Sequence, residues 1–560
     1  MNRNTESHFS KNPTIGISRS KFDRSFTHKT TFNAADLVPV FVDTTIMPGD
    51  TVKMKMSEVV RMATPLCPVM DNANLDIYFF FVPYRLIWTH WKQFMGENDT
   101  SPWIQPVQYT IPQVRNQAAS ATNRFIKGSV GDYMGYPTDI AGNYDASVLP
   151  FRAYGLIWNE FFRDENLQNP VSINASTDSL SQVVAYTNPN YNEVTHTCNG
   201  GGKPLKVCKY HDYFTSCLPG AQKGPAVKLP FDGQALVKYG PDEPVFGNGS
   251  YAPLGHLAGV DNDNSHPDGY WVDATASTSS STVSVNPRFT LYADLSNAVG
   301  ATVTQLRQAF AIQKFYEKQA LGGSRYIEMI KTHFDVVNPD FRMQRPEYLG
   351  GKRIPINMNQ VIQNTPTTGS GITPLGTTGA FSVTSDRDEL FTHSFTEHGI
   401  LIGLVCIRTV HTYQQGLNRQ FSKKNFTDFY FPVFANLSNQ AVLNKEIYLQ
   451  GMGVVDQNGN IIDEQAFGYQ EAWATERYFP DIVTGEMRSN YAQSLDIWHY
   501  ADYYTQLPSL GDKWIAETKD NINRTLAVQN HDQFIADFYF GAVYTRPMPL
   551  YSIPGLIDHH

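Results

Sequence analysis

A chain of 560 residues is long enough for about three or four domains, or for one large β domain with insertions. Hydrophobic residues at 41% suffice for a packed core, while charged residues at 17% fall below the roughly 25% of typical soluble domains, which favours a surface largely covered by copies of the same protein. The net charge of -9 excludes a chain that binds nucleic acid through its overall charge.

Residues 1–50 predict an extended N-terminal arm with one short strand, Leu37 to Val42. Within the first 35 residues, six basic side chains outnumber two acidic ones, so this stretch carries a net charge of +4 and the rest of the chain -13. The basic residues are Arg3, Lys11, Arg19, Lys21, Arg24 and Lys29. We interpret them as candidate contacts to nucleic-acid phosphates; the alternative is a solvated terminus that orders only against a neighbouring subunit.

Residues 51–189 predict the first strands and helices of a β-sandwich. The strand Leu75 to Val82 has apolar side chains on both of its alternating faces, so we expect both faces to be covered. Helices are predicted at Tyr84 to Met95 and at Ala153 to Leu167, the second with Pro170 beyond its end.

Residues 190–287 differ from their surroundings because they are rich in Gly, Pro, Asn and Ser and end in ATASTSSSTVSV. A loop of this length without structure of its own is uncommon inside a compact domain. We therefore predict an inserted lobe on the outside of the main body.

Two groups of potential metal ligands fall in this lobe. They are His196, Cys198, Cys208, His211 and Cys217 in one group and Asp261, Asp263 and Asp268 in the other. Nine residues separate the first two cysteines, instead of the two to four of a zinc site, and no acidic residue ends an EF-hand loop in the second group. We interpret the groups as free thiols and a polar turn, and predict no metal site. Five cysteines make no disulfide framework and fit a reducing compartment.

Residues 288–560 predict two helices, an extended arm and the remaining strands. Thr302 and Gln305 form the pattern of a capping box, apolar residues then recur at steps of three and four, and the pair Gly322 and Gly323 predicts the end of the helix. A second, shorter helix is predicted from Ser324 to about His333.

An extended arm is predicted after Asn338, because Pro339 and Pro346 disfavour helix. Such an arm buries little apolar surface of its own, so we expect another surface, that of a neighbouring subunit, to hold it. The candidate inter-subunit contacts are Arg342, Arg345, Glu347 and Tyr348. A phosphate contact is the alternative for the two arginines.

Further strands are predicted at Gly399 to Val410, Glu446 to Gln450 and Phe534 to Tyr544. Strong strands near both ends of the chain indicate one sandwich that is closed by pairing distant segments. Three aromatic clusters lie in or beside strand patterns, and we interpret them as sandwich core; stacking on the bases of single-stranded DNA is the alternative. The clusters are Tyr78 to Phe81, Phe426 to Phe434 and Phe538 to Phe540.

No nucleophile-elbow, phosphate-loop, metalloprotease or dinucleotide motif is found in the sequence. The close carboxylate pairs Asp386/Asp388 and Glu471/Glu476 are expected by chance in a chain of this length, so we predict no enzyme and no cofactor. The longest apolar run, Ile400 to Ile407, is too short to cross a bilayer, and no signal peptide opens the chain, so membrane residence and secretion are not expected.

Long blocks of the sequence resemble one protein family in the same order along the chain. They are SRSKFDRSF, MATPLCPVMDNANLDIYFFFVPYRLIW, YGLIWNEFFRDENLQNP, LRQAFAIQKFYEKQALGGSRYIE, HFDVVNPDFRMQRPEYLGG, FGYQEAWATERYFPDIVTGEMR and DFYFGAVYTRPMPLYSIPG. The chain resembles the major capsid proteins of microviruses, in the gokushovirus branch, over nearly its whole length.

The resemblance implies a mainly β fold, namely a single viral jelly-roll β-sandwich with long helical and loop insertions. It implies a coat protein that assembles into a small icosahedral shell around circular single-stranded DNA, with residues 190–287 as candidates for surface projections. The implied partners are copies of the chain, a small basic DNA-packaging protein, the single-stranded DNA genome and a host-cell surface receptor. The implied location is the virion, with assembly in the cytoplasm of a bacterial host.

A carbohydrate-binding or carbohydrate-cleaving β-sandwich protein is the alternative function, because it would share the aromatic strands and long loops. Size-exclusion chromatography separates the two interpretations, since a monomer that binds glycans favours the alternative.

Overall fold

The computed structural model describes residues 18–98, 107–116, 125–178, 185–186, 196–197, 202–225, 227, 236–239, 291–294, 302–365 and 374–551. The chain forms two compact units. One consists of Met1–Lys223 and Glu317–His560, and the other of Gly224–Tyr316. Within the smaller unit, the described strands Leu236–Tyr239 and Leu291–Asp294 pair antiparallel.

Nine of the described strands of the larger unit build two sheets. They are β1 (Ser20–Asp23), β2 (Phe26–Phe32), β3 (Val38–Ile46), β4 (Thr51–Met62), β5 (Ala73–Pro83), β6 (Glu347–Pro355), β7 (Thr384–Ser394), β8 (Gly399–Thr409) and β9 (Phe534–Arg546). The first sheet has the order β1-β9-β4-β7, with β2 also pairing β9, and the second has the order β6-β5-β8-β3.

The strand pairs of these sheets are nested in the manner of a jelly roll. Strand β2 pairs with β9, β3 with β8, β4 with β7 and β5 with β6, all antiparallel. The predicted fold class is therefore confirmed, and so is the closure of the sandwich by segments from opposite ends of the chain.

Among the described residues, the first sheet is covered on one face only, and the alternation of side chains along β9 shows this directly. Phe534, Phe538 and Phe540 are fully buried, whereas Ile535 and Tyr539 are about half exposed. The buried rings join a core that also contains side chains of the second sheet. This core holds the two sheets face to face.

The second sheet is covered on both faces, as predicted for its strand β5. Phe79 and Phe81 belong to the core between the sheets, whereas Phe80 and Val82 pack into a second core. That second core includes buried side chains of helix α1 (Leu149–Ile157), which continues into one wider, π-helical turn, Trp158–Phe162. The predicted helix Ala153 to Leu167 thus begins and ends several residues earlier.

The predicted helix Tyr84 to Met95 is broken into two single turns, Tyr84–Ile87 and Trp91–Phe94. Trp88 lies at the break, is fully buried and donates its indole N–H to Asp178 at 2.5 Å. Trp88 has extended backbone angles, so the helix is interrupted at the residue whose ring is buried.

Helix α2 (Val303–Leu321) and helix α3 (Tyr326–Phe334) confirm the two predicted helices. The capping box is present: the Gln305 N–H donates to the Thr302 hydroxyl at 3.2 Å, and the Thr302 N–H donates to the Gln305 side chain at 2.9 Å. Gly323 has a φ of 92°, the left-handed conformation expected after a last helical turn.

The predicted arm after Asn338 is held differently from the prediction. Its second part is strand β6, which pairs with β5 of the same chain, so the surface that satisfies its backbone is the chain's own sheet. Gly351 permits this pairing, because a Cβ there would lie 2.1 Å from the Ile77 carbonyl oxygen.

Three other segments differ from their predictions. Residues 1–50, predicted with one strand, contribute β1, β2 and β3. Part of the predicted 190–287 lobe packs into the larger unit, since Leu205 and Val207 are buried in the second core and Cys208 and Cys217 in a third core. The predicted strand Glu446 to Gln450 is wrong, because Asn444–Ile447 form one helical turn.

The remaining described elements are short. The paired strands are Gln113–Asn116 with Tyr144–Ser147, Ala185–Tyr186 with His196–Thr197, Met358–Ile362 with Thr378–Ser382, and Asn439–Leu443 with Ala466–Glu471. The short helices are Val130–Tyr133, Asp512–Ile515 and Asp520–Asn523, and the 3-10 turns are Arg419–Phe421, Phe426–Asp428, Pro432–Phe434, Ile462–Glu464, Ala474–Glu476, Gly485–Met487 and Asp496–Trp498. In the described part of the chain, no helix has both the length and the apolar character needed to cross a bilayer.

Candidate functional site

Residues 417–437, called the aromatic loop below, present apolar side chains to solvent. Phe421 is 72% exposed, Phe426 75% and Val433 88%. Four more large apolar side chains of the loop are about half exposed, namely Phe429, Tyr430, Phe431 and Leu437. The prediction that Phe426 to Phe434 belongs to the sandwich core is therefore wrong, and this cluster is a surface feature.

Local hydrogen bonding explains why the aromatic loop is not a strand. The backbone N–H groups of Lys424 and Asn425 both donate to the Asp428 carboxylate at 2.8 Å, which closes a tight turn. Pro432 begins another turn and has no N–H for a ladder. Without a continuous ladder, the aromatic side chains do not alternate into a core.

The aromatic loop is nevertheless fixed to the body of the protein. The Arg419 guanidinium binds Glu446 at 2.8 Å, and the Trp473 indole N–H donates to the Phe434 carbonyl oxygen at 3.0 Å. Gly416 directly precedes the loop, and a Cβ added to it would stand 1.8 Å from the Glu446 carbonyl oxygen. The loop therefore approaches the body so closely that only glycine fits.

A second exposed apolar group lies next to the aromatic loop. Lys423 forms an ion pair with Glu476 at 2.5 Å. Tyr478 and Phe479 follow Glu476 in the chain after one intervening residue and are 57% and 71% exposed, and Ile482 is also exposed. The exposed apolar surface thus extends beyond the loop itself.

A different kind of surface is the outer face of the first sheet, called the sheet face below. Six basic and three acidic side chains point outward from its strands, so it carries a net charge of +3 on a chain of net charge -9. The basic residues are Lys21, Lys29, Lys53, Lys55, Arg61 and Arg387, and the acidic residues are Asp23, Glu389 and Asp537. Three ion pairs on this face are exposed to solvent: Lys29–Asp537 at 3.5 Å, Lys53–Glu389 at 2.9 Å and Lys55–Glu389 at 4.0 Å.

A concave pocket of about 540 Å³ opens on the sheet face. Lys29 and Arg61 supply positive charge to its lining, Asp132 and Asp537 supply negative charge, and Ile535 and Tyr133 supply apolar surface. The pocket thus has charges of both signs, and its two cations and its aromatic ring are groups of the kind that bind nucleotides of single strands.

The structure separates the predicted phosphate contacts into groups. Arg3 and Lys11 lie outside the described residues. Lys21 and Lys29 lie exposed on the sheet face, and Arg19 is also exposed. The Arg24 guanidinium instead binds the buried Asp43 carboxylate and lies 4.7 Å from the Tyr544 ring centroid, so its charge is compensated within the chain.

The predicted inter-subunit contacts mostly have partners within the chain. Arg345 is 10% exposed, lies 4.2 Å from the Phe161 ring centroid and pairs with Asp340 at 3.4 Å. Glu347 contacts His393 at 3.5 Å. Arg342 is exposed, and Tyr348 is 46% exposed while its ring packs on Phe80. The inter-subunit role of these four residues stays a prediction.

Sequence reasoning missed a buried polar network around His411. His411 lies between Asp502 at 3.0 Å and Glu517 at 2.9 Å, and Lys209 also reaches Asp502 at 3.2 Å. Burial acts to lower the pKa of His411, but the charges of Glu517 and Asp502 outweigh it and raise that pKa to about 10. The network joins segments that are far apart in sequence, which is why no local motif announces it.

Another titratable group, the carboxyl group of Glu58, is buried between the two sheets. Glu58 on β4 is 3% exposed and lies near Asp386, Asp388 and Lys352. Burial, with a further contribution from the Asp386 charge, raises the pKa of Glu58 to about 7.

The candidate metal ligands do not come together among the described residues. Cys208 and Cys217 are buried free thiols of the third core, and no group of three potential ligands is present in the described part of the chain. Cys198 and the three aspartates at 261, 263 and 268 lie outside the described residues, as does the side chain of His196. The carboxylate pairs are bound in ion pairs: Asp386 and Asp388 with Lys352, Glu471 with Arg477 and Glu476 with Lys423.

Comparison with known proteins places the chain in a viral family. The model of a family described as capsid protein (F protein) matches residues 10–556. The match thus includes both sheets, the helices between them and the aromatic loop.

Three curated relatives, each called capsid protein VP1, match nearly the whole chain. That of Chlamydia phage 1 is 39% identical over 98% of this chain and 97% of its own length, and that of Bdellovibrio phage phiMH2K is 39% identical over 99% and 98%. That of Spiroplasma virus 4 is 36% identical over 96% of both chains.

Proposed function

This chain belongs to the capsid protein (F protein) family and is a viral major capsid protein, and from that premise we propose that its copies form a small icosahedral shell around circular single-stranded DNA. The observation that carries the proposal is the extent of the match. Relatives named as capsid proteins align over 96% or more of the chain, so the whole chain, and not one module of it, shares their role. The carbohydrate-binding alternative has no support from the family or from these relatives.

The work of such a subunit is geometric, so we propose that the chain catalyses no reaction. The jelly roll supplies a rigid block, because its strands are paired and its second sheet is covered on both faces. Association energy comes from apolar area buried between copies. A closed shell repeats each contact many times, so individually weak contacts give a stable particle.

The genome is the proposed partner of the sheet face. The positive charge of the sheet face complements phosphates. Lys29, Arg61 and the Tyr133 ring, which line the pocket, offer cationic and aromatic groups to a nucleotide. Lys21 and Lys29 remain contact candidates, together with Arg19 and the two residues outside the described part, Arg3 and Lys11. Arg24 is the weakest candidate, because Asp43 already compensates its charge.

Further partners follow from the charge balance and from the family. A chain of net charge -9 does not neutralise a genome by itself, so we propose a separate small basic DNA-packaging protein. A host-cell surface receptor is the proposed partner of the particle exterior, where the part of residues 190–287 that belongs to the smaller unit, from Gly224 onward, is the proposed projection. Assembly in the bacterial cytoplasm is supported by the four described cysteines, which are free.

Sedimentation and electron microscopy of the purified chain test the proposed shell. Closed particles of uniform size that disassemble to subunits in high salt or mild denaturant are expected. A chain that stays monomeric at every concentration and salt, or that binds glycans as a monomer, overturns the proposal.

A charge-reversal variant tests the genome-facing role of the sheet face. Lys55→Glu with Arg61→Glu is expected to lower the DNA content of particles and its salt resistance while particles still form. The matched control is Lys318→Glu with Lys513→Glu, which changes charge by the same amount at exposed positions outside this sheet. Equal DNA content in both variants contradicts the assignment.

A further inference from the structure

The aromatic loop exposes to solvent the kind of large apolar side chain that proteins usually bury. Seven large apolar side chains are exposed within residues 417–437, whereas the phenylalanines of the other two aromatic clusters, in β5 and β9, are buried. An exposed apolar cluster of this size marks a site of interaction.

We propose that the aromatic loop is a contact surface that binds a second copy of this chain in the shell. The inference deepens the proposed function and rests on it, because it names the surface that brings coat subunits together.

The area of the loop supports this occupant. A fully exposed aromatic side chain offers roughly 200 Å², so the exposed fractions of the seven side chains amount to about 800 Å². A standard interface buries about 800 Å² on each partner. Tyr478, Phe479 and Ile482 add to this surface, so the loop is large enough for a specific contact between subunits.

The loop is also rigid, which lowers the entropic cost of binding. Arg419 and Trp473 fasten it at two points, and the close approach at Gly416 fixes its start. Aromatic side chains held in place are the residues that contribute most to binding energy at interfaces. A loop that is ordered before it meets a partner therefore suits a contact repeated around a shell.

Charge favours a protein partner over nucleic acid. The cationic groups of Arg419 and Lys423 are each bound to a carboxylate, Glu446 at 2.8 Å and Glu476 at 2.5 Å. The third cation of the loop, the exposed Lys424, is offset by Asp428, whose carboxylate accepts from the Lys424 backbone N–H at 2.8 Å. The three positive charges thus face three carboxylates of the same chain, so the loop attracts phosphates weakly although its rings resemble a base-stacking surface.

The first test is a triple variant, Phe421→Ser with Phe426→Ser and Val433→Ser, compared with the same three positions changed to Leu. These side chains are the most exposed of the loop, so both variants are expected to unfold at the same denaturant concentration as the wild type. The serine variant is expected to need at least tenfold more protein to assemble, and the leucine variant less than threefold more, because leucine keeps apolar area. Assembly of the serine variant at wild-type concentrations overturns the inference.

The second test measures burial directly and needs no loss of assembly. Val433→Cys is treated with a maleimide in subunits and in shells that contain this chain alone, with the wild type as background for the native thiols. Labelling is expected to slow at least tenfold in shells. Equal labelling rates show that no second copy covers the loop, and leave a packaging protein, a receptor or DNA as its occupant, which overturns the inference.

The two tests separate this inference from the proposed function. If the wild type never forms particles, the proposed function fails and the inference fails with it. If the wild type forms particles and the serine variant does so equally well, only the inference is overturned. If the serine variant assembles normally but retains less DNA, the loop contacts the genome, which also overturns it.

Discussion

Two stretches of this chain contain clusters of aromatic residues, yet one cluster lies within a sheet between two cores and the other lies at the surface. Tyr78 to Phe81 lies in β5, between β6 and β8, where neighbouring strands satisfy its backbone on both sides and side chains go alternately into two cores. Phe426 to Phe434 forms consecutive tight turns, and its rings are about half exposed or more at most positions. Backbone pairing, and not aromatic content, decides which stretch is buried.

The difference predicts two separate kinds of mutational effect. Substitutions in β5 are expected to change the free energy of unfolding, because each ring there fills space between packed layers. Substitutions in the aromatic loop are expected to change association between copies and to leave the free energy of unfolding unchanged. Phe79→Ala and Phe426→Ser, both described below, test this division directly.

The largest expected effect comes from Phe79→Ala on β5. Phe79 is fully buried, and its ring contacts those of Phe41, Phe391 and Phe540. Removing the ring leaves a cavity between the sheets, so the free energy of unfolding is expected to fall by about 3–5 kcal/mol in denaturant titrations. Phe426→Ala is the matched control. An equal loss of unfolding free energy in both variants would contradict the difference in burial between β5 and the aromatic loop.

The next effect concerns Glu58→Gln and depends on pH. The folded-state pKa of Glu58 is raised from 4.5 to about 7, so the protonated form contributes stability that is complete below pH 4.5 and is lost as pH rises through 7. The glutamine variant is expected to match the wild type at pH 4 and to be more stable at pH 8, by up to about 3 kcal/mol. Denaturant titrations at the two pH values measure this.

Glu389→Gln is the control for this pH dependence. Glu389 is on the exposed face of β7 and pairs with Lys53, which lowers its pKa through a hydrogen bond. Its replacement is therefore expected to give no gain at pH 8. A pH-independent effect of Glu58→Gln would show that the carboxyl group between the sheets does not titrate as described.

Gly416→Ala is expected to have a smaller effect on unfolding and a clear one on assembly. The added Cβ meets the Glu446 carbonyl oxygen, so the backbone must shift at the start of the aromatic loop, at a cost of about 1–3 kcal/mol. Gly453→Ala is the control, because nothing lies within 4 Å of a Cβ there. Sedimentation of both variants shows whether loop position matters to association; equal assembly would contradict that role.

The smallest expected effect on stability comes from Phe426→Ser alone. Because this ring is 75% exposed, the free energy of unfolding is expected to stay within about 0.5 kcal/mol of the wild type. A loss of several kcal/mol in a denaturant titration would mean that the ring belongs to a core after all.

The local pattern of apolar residues was sufficient to predict β5, β8 and β9, because such a pattern is a property of neighbouring residues in the sequence. It was not sufficient for β6, whose place beside β5 depends on a pairing with residues more than 260 positions away. The prediction that the aromatic loop belongs to the core was wrong for a different reason. The turn residues Asn425, Asp428 and Pro432 lie among its aromatic residues, and turn chemistry outweighs hydrophobicity there.

The candidate surfaces were predicted less completely than the fold. Lys21 and Lys29 were found from charge alone, but Lys53, Lys55 and Arg61 joined them only when strand pairing brought β4 beside β9. The His411 network could not be predicted, because its members come from segments that become neighbours only in the folded chain. Long-range pairing thus limits what a single sequence reveals about a surface.

The position of β9 has a consequence for the timing of synthesis. This strand lies in the middle of the first sheet but begins at residue 534, so a ribosome that adds 5–20 residues per second reaches it after about half a minute to two minutes. Until then β2 and β4 have no partner between them, although the aromatic loop has already emerged. A nascent chain therefore exposes the aromatic loop before the first sheet is complete. Addition of β9 is the step after which a new subunit can assemble with others.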